Sequence, residues 1–144
     1  MKLYEGSFKG AYDPGFTEKV YEEVLRRGSQ VLASGRPVIL DASFRSAAMR
    51  SSARELAARF GVPFRFVECR ADAEVCKSRL KARRLKAEVS DGRLEIFDEF
   101  CRSFEAVTEL PAGEHVQVDT GQPLAGSLEA LRAAVSTWPK GLVG

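Results

Sequence analysis

The sequence predicts an α/β fold of three layers, a parallel sheet of about three strands covered by helices. Two observations carry this. Short apolar runs, each too short for a helix, alternate with longer segments of helical period, and that alternation is the pattern of a parallel sheet with helices on its faces. The clearest run, Pro37-Val38-Ile39-Leu40-Asp41, is apolar throughout and ends in a carboxylate. It reads as a strand buried on both faces.

Each element has a local signal. Residues 1–14, with Gly6, Gly10 and Asp13-Pro14, read as an irregular lead-in. Thr17 caps a helix to about Ala33, with Val20, Val24, Leu25, Val31 and Leu32 as its apolar stripe. Gly35 ends it and the strand 37–41 follows. Ser46 caps the next helix, with Ala48, Leu56 and Phe60 facing inward, Arg50, Arg54 and Arg59 facing out, and Gly61 at its end. Pro63–Cys69 is a second strand, expected to pair directly with 37–41 through a right-handed crossover over helix 46–60, the alternatives being a substitute strand from residues 1–10 or from another chain between them. Asp72 opens a basic helix to about Ala87, and Ser90 opens another to about Val107. His115–Asp119 is a third strand. A last helix, 125–137, is closed by Trp138-Pro139, with Trp138 packed on the body.

The 144 residues suit a single domain, 1–144, and a hydrophobic content of 44% is enough for a core. A net charge of +2 disfavours nucleic acid as a partner, although Lys77, Arg79, Lys81, Arg83, Arg84 and Lys86 crowd one segment. Cys69, Cys76 and Cys101 are an odd number without CxxC spacing, which suggests reduced thiols in a cytoplasmic protein. Cys76 and Cys101 read as small core hydrophobes. His115 has no carboxylate or second histidine near it in sequence and carries little catalytic weight. No apolar run is long enough for a leader or a membrane span.

Asp41 is the leading site candidate, because open α/β sheets place their chemistry at the carboxyl ends of strands. A strand-end Asp that caps the following helix is the alternative. In phosphate-handling folds such an Asp usually holds Mg²⁺ or its waters opposite a glycine-rich loop, yet the sequence contains no G-x-x-x-x-G-K-[ST]. Gly6-Ser7-Phe8-Lys9-Gly10 does not reproduce that spacing, so the backbone donors and lysine of a phosphate cradle are not supplied there.

From about Tyr12 to Leu131 the chain resembles the P-loop kinase family of small ATP-binding modules related to polynucleotide kinases and zeta toxins, often fused to aminoglycoside-phosphotransferase-like domains. The resemblance rests on the order of several pieces. These are Tyr12-Asp13-Pro14 with Val20-Tyr21, the run from Gly35 to Phe44, then Arg50 with Ala53-Arg54-Glu55-Leu56-Ala57 and Gly61-Val62-Pro63-Phe64. Glu68-Cys69-Arg70-Ala71, Arg79-Leu80-Lys81-Ala82-Arg83, Val89-Ser90-Asp91 and Val118-Asp119-Thr120 follow. Relatives open with a strand and a Gly-rich loop ending in Lys-Ser/Thr, then an Asp-containing segment. The present chain is expected to start after both.

The resemblance implies the Walker-B and lid part of an ATP-dependent kinase acting on a small molecule or nucleotide, with ATP and Mg²⁺ as cofactors. It implies that Asp41 helps organise Mg²⁺ or the phosphoryl acceptor, and that Arg79 and Arg83, one turn apart on a lid helix, neutralise charge on the transferring phosphoryl group with Arg84 beside them. Arg50 would face an anion near the sheet edge, and Asp119 and Thr120 a base or ribose. The alternatives are a solvated basic helix, a surface arginine and a turn-forming Asp. Weak or absent ATP binding is expected for the chain alone. A complementing N-terminal P-loop segment, or a homodimer through an exposed sheet edge, is the expected partner. The rival reading is a non-catalytic remnant that binds a protein or an anion.

Overall fold

The computed structural model describes residues 14–87 and 92–135. In chain order they form α1 (Pro14–Ala33), α2 (Ala47–Arg59), β1 (Phe66–Arg70), α3 (Ala73–Ala87), α4 (Gly92–Ser103), a 3₁₀ turn (Ala112–Glu114), β2 (His115–Asp119) and α5 (Leu124–Ala134). The lead-in 1–13, Ser90 and Trp138-Pro139 lie outside the described residues.

The α/β class and the parallel sheet hold. Among the described residues the sheet has two strands, β1 beside β2, in register from Phe66↔His115 to Arg70↔Asp119. Residues 37–41 are not one of them, and the expected pairing of 37–41 with 63–69 is not made. No backbone–backbone hydrogen bond among the described residues involves 37–41. Ile39 is 70% exposed, while Leu40 packs inward beside Tyr21 and Phe44. The segment thus lies against α1 through alternate side chains. Gly28 permits this, because a Cβ there would stand 3.1 Å from Leu40 Cδ2. β1 starts at Phe66, later than expected; Pro63, lacking an N–H, is a poor ladder member.

Helix ends follow local chemistry. α1 begins at Pro14, which leaves Thr17 inside its first turn. Ser46 caps α2 as its sequence suggests, its hydroxyl accepting the Met49 N–H at 3.2 Å. Gly35 and Gly61 have φ of 80° and 62°. Beside Gly61, the Val62 and Gly61 N–H groups return to the Ala57 and Ala58 carbonyls at 3.1 Å, a Schellman closure. α4 stops at Ser103, before the expected Val107, because tertiary contacts take the next backbone groups. The Glu105 N–H donates to the Arg45 carbonyl at 2.8 Å, and the Glu105 and Ala106 carbonyls accept from Arg50.

Parallel pairing puts register partners on the same face. Val67, Val116 and Val118 pack with Leu131 and Val135 of the α5 end, while Phe66 joins the cluster of Tyr21, Phe44 and Ala53 with Leu25, Leu40, Met49 and Phe64. The helix stripes differ from expectation. Tyr21 and Gly28 are buried on α1 in place of Val20, and α2 buries Arg50, Ala53, Leu56 and Ala57 while Ala48 and Phe60 are exposed. Cys69 and Cys101 are exposed and Cys76 is half-buried, so Cys101 is not a core residue; all three are free thiols.

Candidate functional site

Asp41 ends the extended segment on the surface. Its carboxylate makes no hydrogen bond or ion pair among the described residues, and the cap of α2 is Ser46. The helix-capping alternative for Asp41 is thereby removed. Among the described residues no group of three or more His, Cys, Asp or Glu is arranged to hold a metal ion. A lone open carboxylate suits Mg²⁺ that is otherwise held by waters and phosphate oxygens, as is usual for that ion.

The carboxyl end of β2 gathers three of the expected residues. Arg79 Nη2 donates to the Thr120 carbonyl, so α3 is tied to the turn that follows β2. The Thr120 N–H and hydroxyl both donate to the Arg70 carbonyl, at 2.7 and 3.1 Å. Asp119 Oδ1 accepts the Gly121 N–H at 2.8 Å, which is the turn-forming role. Arg83 lies one turn beyond Arg79 and is exposed. The side chain of Arg84 lies outside the described residues.

Arg50 corrects the sequence reading most. Expected on the outer face of α2, it has no exposed surface at all. Its Nε donates to Glu109 at 2.6 Å, Nη1 to the Phe44 carbonyl at 2.8 Å, and Nη2 to the Glu105 and Ala106 carbonyls at 2.9 and 3.3 Å. The Phe66 and Phe104 rings lie 5.6 and 5.4 Å from the guanidinium carbon. These contacts commit the group to the protein, so it does not face an external anion. Arg50 in turn holds the Glu109 carboxyl below the usual carboxylate range.

Two further features escape the sequence. His115 meets Glu68 diagonally on the neighbouring strand, two residues on from its register partner Phe66, with Nε2 to Oε2 at 3.7 Å and both atoms buried without a hydrogen bond. Phe44 has φ of 43° and donates its N–H to the Tyr21 hydroxyl at 2.9 Å. The Glu68–His115 pair becomes visible only when the register of two strands far apart in sequence is known.

No helix among the described residues is long and apolar enough to cross a membrane. No curated protein and no solved structure matches the chain. A family model described as an AAA domain matches residues 3–107. That span holds Asp41, Arg50, Arg79, Arg83 and Arg84, and it leaves Asp119 and Thr120 outside. With the model covering well over half of its residues, the chain belongs to this AAA-domain family, whose members are P-loop NTPase-like and kinase-like.

Proposed function

We propose that the chain supplies the Walker-B and lid portion of an ATP-dependent kinase for a small molecule or nucleotide, and that a glycine-rich phosphate-binding segment must complete it. The observation that carries this reading is the open carboxylate of Asp41, at the end of an extended segment within the family match. Asp41 would hold Mg²⁺ through its waters. When bound, Mg²⁺ neutralises charge between the phosphates of the nucleotide. Arg83, exposed on α3, would stabilise negative charge on the phosphoryl group in flight, and Arg79 would set the angle of α3 through its bond to Thr120. Asp119 and Thr120 would serve the base or ribose through the turn they build. Arg84 would add positive charge to the lid.

The 144 residues contain no G-x-x-x-x-G-K-[ST], and this motivates the need for a complementing segment, supplied by another stretch of chain or another molecule. Three free cysteines are consistent with a reducing, cytoplasmic setting. The test is complementation. A segment bearing a Gly-rich loop and Lys-Ser/Thr is added to the chain, and transfer of the γ-phosphate of ATP is followed across a panel of sugars, aminoglycosides and nucleosides. Transfer that needs both parts and fails with Asp41→Asn supports the reading. No transfer from any reconstituted pair overturns it in favour of a binding module.

A further inference from the structure

Asp41 is followed by a turn, Ala42-Ser43-Phe44, whose conformation is costly and heavily constrained. Among the described residues Phe44 is the one non-glycine with a positive φ, at 43°. Left-handed backbone costs a residue with a Cβ roughly 1–2 kcal/mol and persists only where surroundings overdetermine it. The surroundings here do so from two helices. From α1, the Tyr21 hydroxyl accepts the Phe44 N–H at 2.9 Å and pairs with Ser43 Oγ at 2.9 Å. From α2, Arg50 Nη1 donates to the Phe44 carbonyl at 2.8 Å. The Phe44 ring is wedged edge-on against Tyr21 and Phe66, at 5.1 and 6.4 Å between centroids.

Core packing alone accounts for the ring but not for the strain. A strained turn gripped at both its N–H and its carbonyl fixes the direction of the chain on either side of it. Asp41 has no side-chain partner among the described residues, so what the protein fixes for its carboxylate is the backbone position and the Cα–Cβ direction from which it reaches. Asp41 would hold Mg²⁺ through the ion's ordered waters, and a wandering carboxylate would lose affinity for that hydrated ion through ordering entropy.

We infer that Tyr21 and Arg50 are positioning residues for Asp41, acting through the Ser43-Phe44 turn. The inference rests on the reading above, that Asp41 holds a hydrated divalent cation. Tyr21 is the cleaner lever, because Tyr21→Phe removes the hydroxyl and keeps the packed ring. Ser43→Gly removes the other partner of the Tyr21 hydroxyl and loosens the exposed part of the turn, while leaving the packed rings in place.

The test uses the full chain with Mn²⁺ alone as probe, read by paramagnetic broadening of amide NMR signals from residues 40–44 and by hydrogen exchange. In the parent chain, broadening that disappears with Asp41→Asn is expected. Tyr21→Phe and Ser43→Gly are expected to speed exchange of the Phe44 amide, which donates to Tyr21, and to raise the Mn²⁺ concentration needed for broadening by about tenfold, with signals of β1 and β2 unmoved. Faster exchange with unchanged Mn²⁺ dependence in both variants overturns the positioning role and leaves the Asp41 reading intact. Exchange unchanged in both variants also overturns it, because the turn is then not held as argued. Parent-chain broadening that survives Asp41→Asn overturns the cation reading, and this inference with it.

Discussion

Arg50 and Glu109 meet at 2.6 Å with the guanidinium fully buried and the carboxylate 19% exposed. Breaking a buried pair from one side strands the other charge, at a cost of about 3–5 kcal/mol. Partial exposure of Glu109 lets water compensate, so Glu109→Ala is expected at about 2–3 kcal/mol in urea unfolding. Arg50→Met, which strands Glu109 and three carbonyls together, is expected to cost more. A loss below about 1 kcal/mol in Glu109→Ala would mean that the pair contributes no more than a surface bridge.

The same pair sets an acid limit. Arg50 lowers the folded-state pKa of Glu109, so its contribution is complete above the unfolded glutamate value and is lost as pH falls through the lower folded one. The urea midpoint of the parent chain is expected to drop below about pH 4.5, and to drop less steeply in Glu109→Gln. Glu23, held down to about 2 by hydrogen bonds from Arg26 and Arg27, is exposed on α1 and acts in the same direction. High salt screens the Glu23 contribution preferentially. A difference between Glu109→Gln and the parent that vanishes in high salt would therefore contradict the assignment to Glu109.

Gly28 sets two effects against each other. In a helix interior, alanine gains about 1 kcal/mol over glycine. A Cβ at this position would stand 3.1 Å from Leu40 Cδ2, and the leucine can give by a few tenths of an ångström. Gly28→Ala is expected to be within about 1 kcal/mol of neutral in urea unfolding. Gly28→Val adds two branches to the same gap and is expected to destabilise by roughly 1–3 kcal/mol through overpacking. A neutral valine would show that 37–41 is not held against α1.

The chain alone is expected to bind Mg-ATP weakly or not at all, since the donors of a phosphate loop are missing from its sequence. Low-micromolar affinity by calorimetric titration would contradict this. In a complemented, active pair, Arg83→Ala is expected to slow turnover by about 10²–10³-fold. Full activity would leave Arg83 as a solvated surface charge.

What could be read from the sequence is what local chemistry decides. Ser46 as a cap, Gly35 and Gly61 as helix ends, the span of α3 and the strand at His115–Asp119 each depend on a few neighbouring residues. What could not be read depends on distant partners. Val38-Ile39-Leu40 has the composition of a buried strand, but composition does not say which chain will lie alongside. Arg50 resembles any helix arginine until Glu105, Ala106 and Glu109 come round to meet it. At the site, Asp41 stood out as the carboxylate ending an apolar run, whereas the bond from Arg79 to the Thr120 carbonyl joins distant residues and the positive φ of Phe44 leaves no mark in residue type.

The two strands of the sheet are neighbours in space but are separated by the whole of residues 71–114, which carry α3 and α4. Their pairing cannot form until that long loop has closed, and closure entropy must be met before any ladder bond rewards it. α1 and α2, by contrast, lie close in sequence and pack on each other. This pair of helices is therefore expected to form early, and the register between Phe66 and His115 late, as the step that limits refolding. Shortening the 71–114 connection would speed refolding even where it leaves the native contacts untouched.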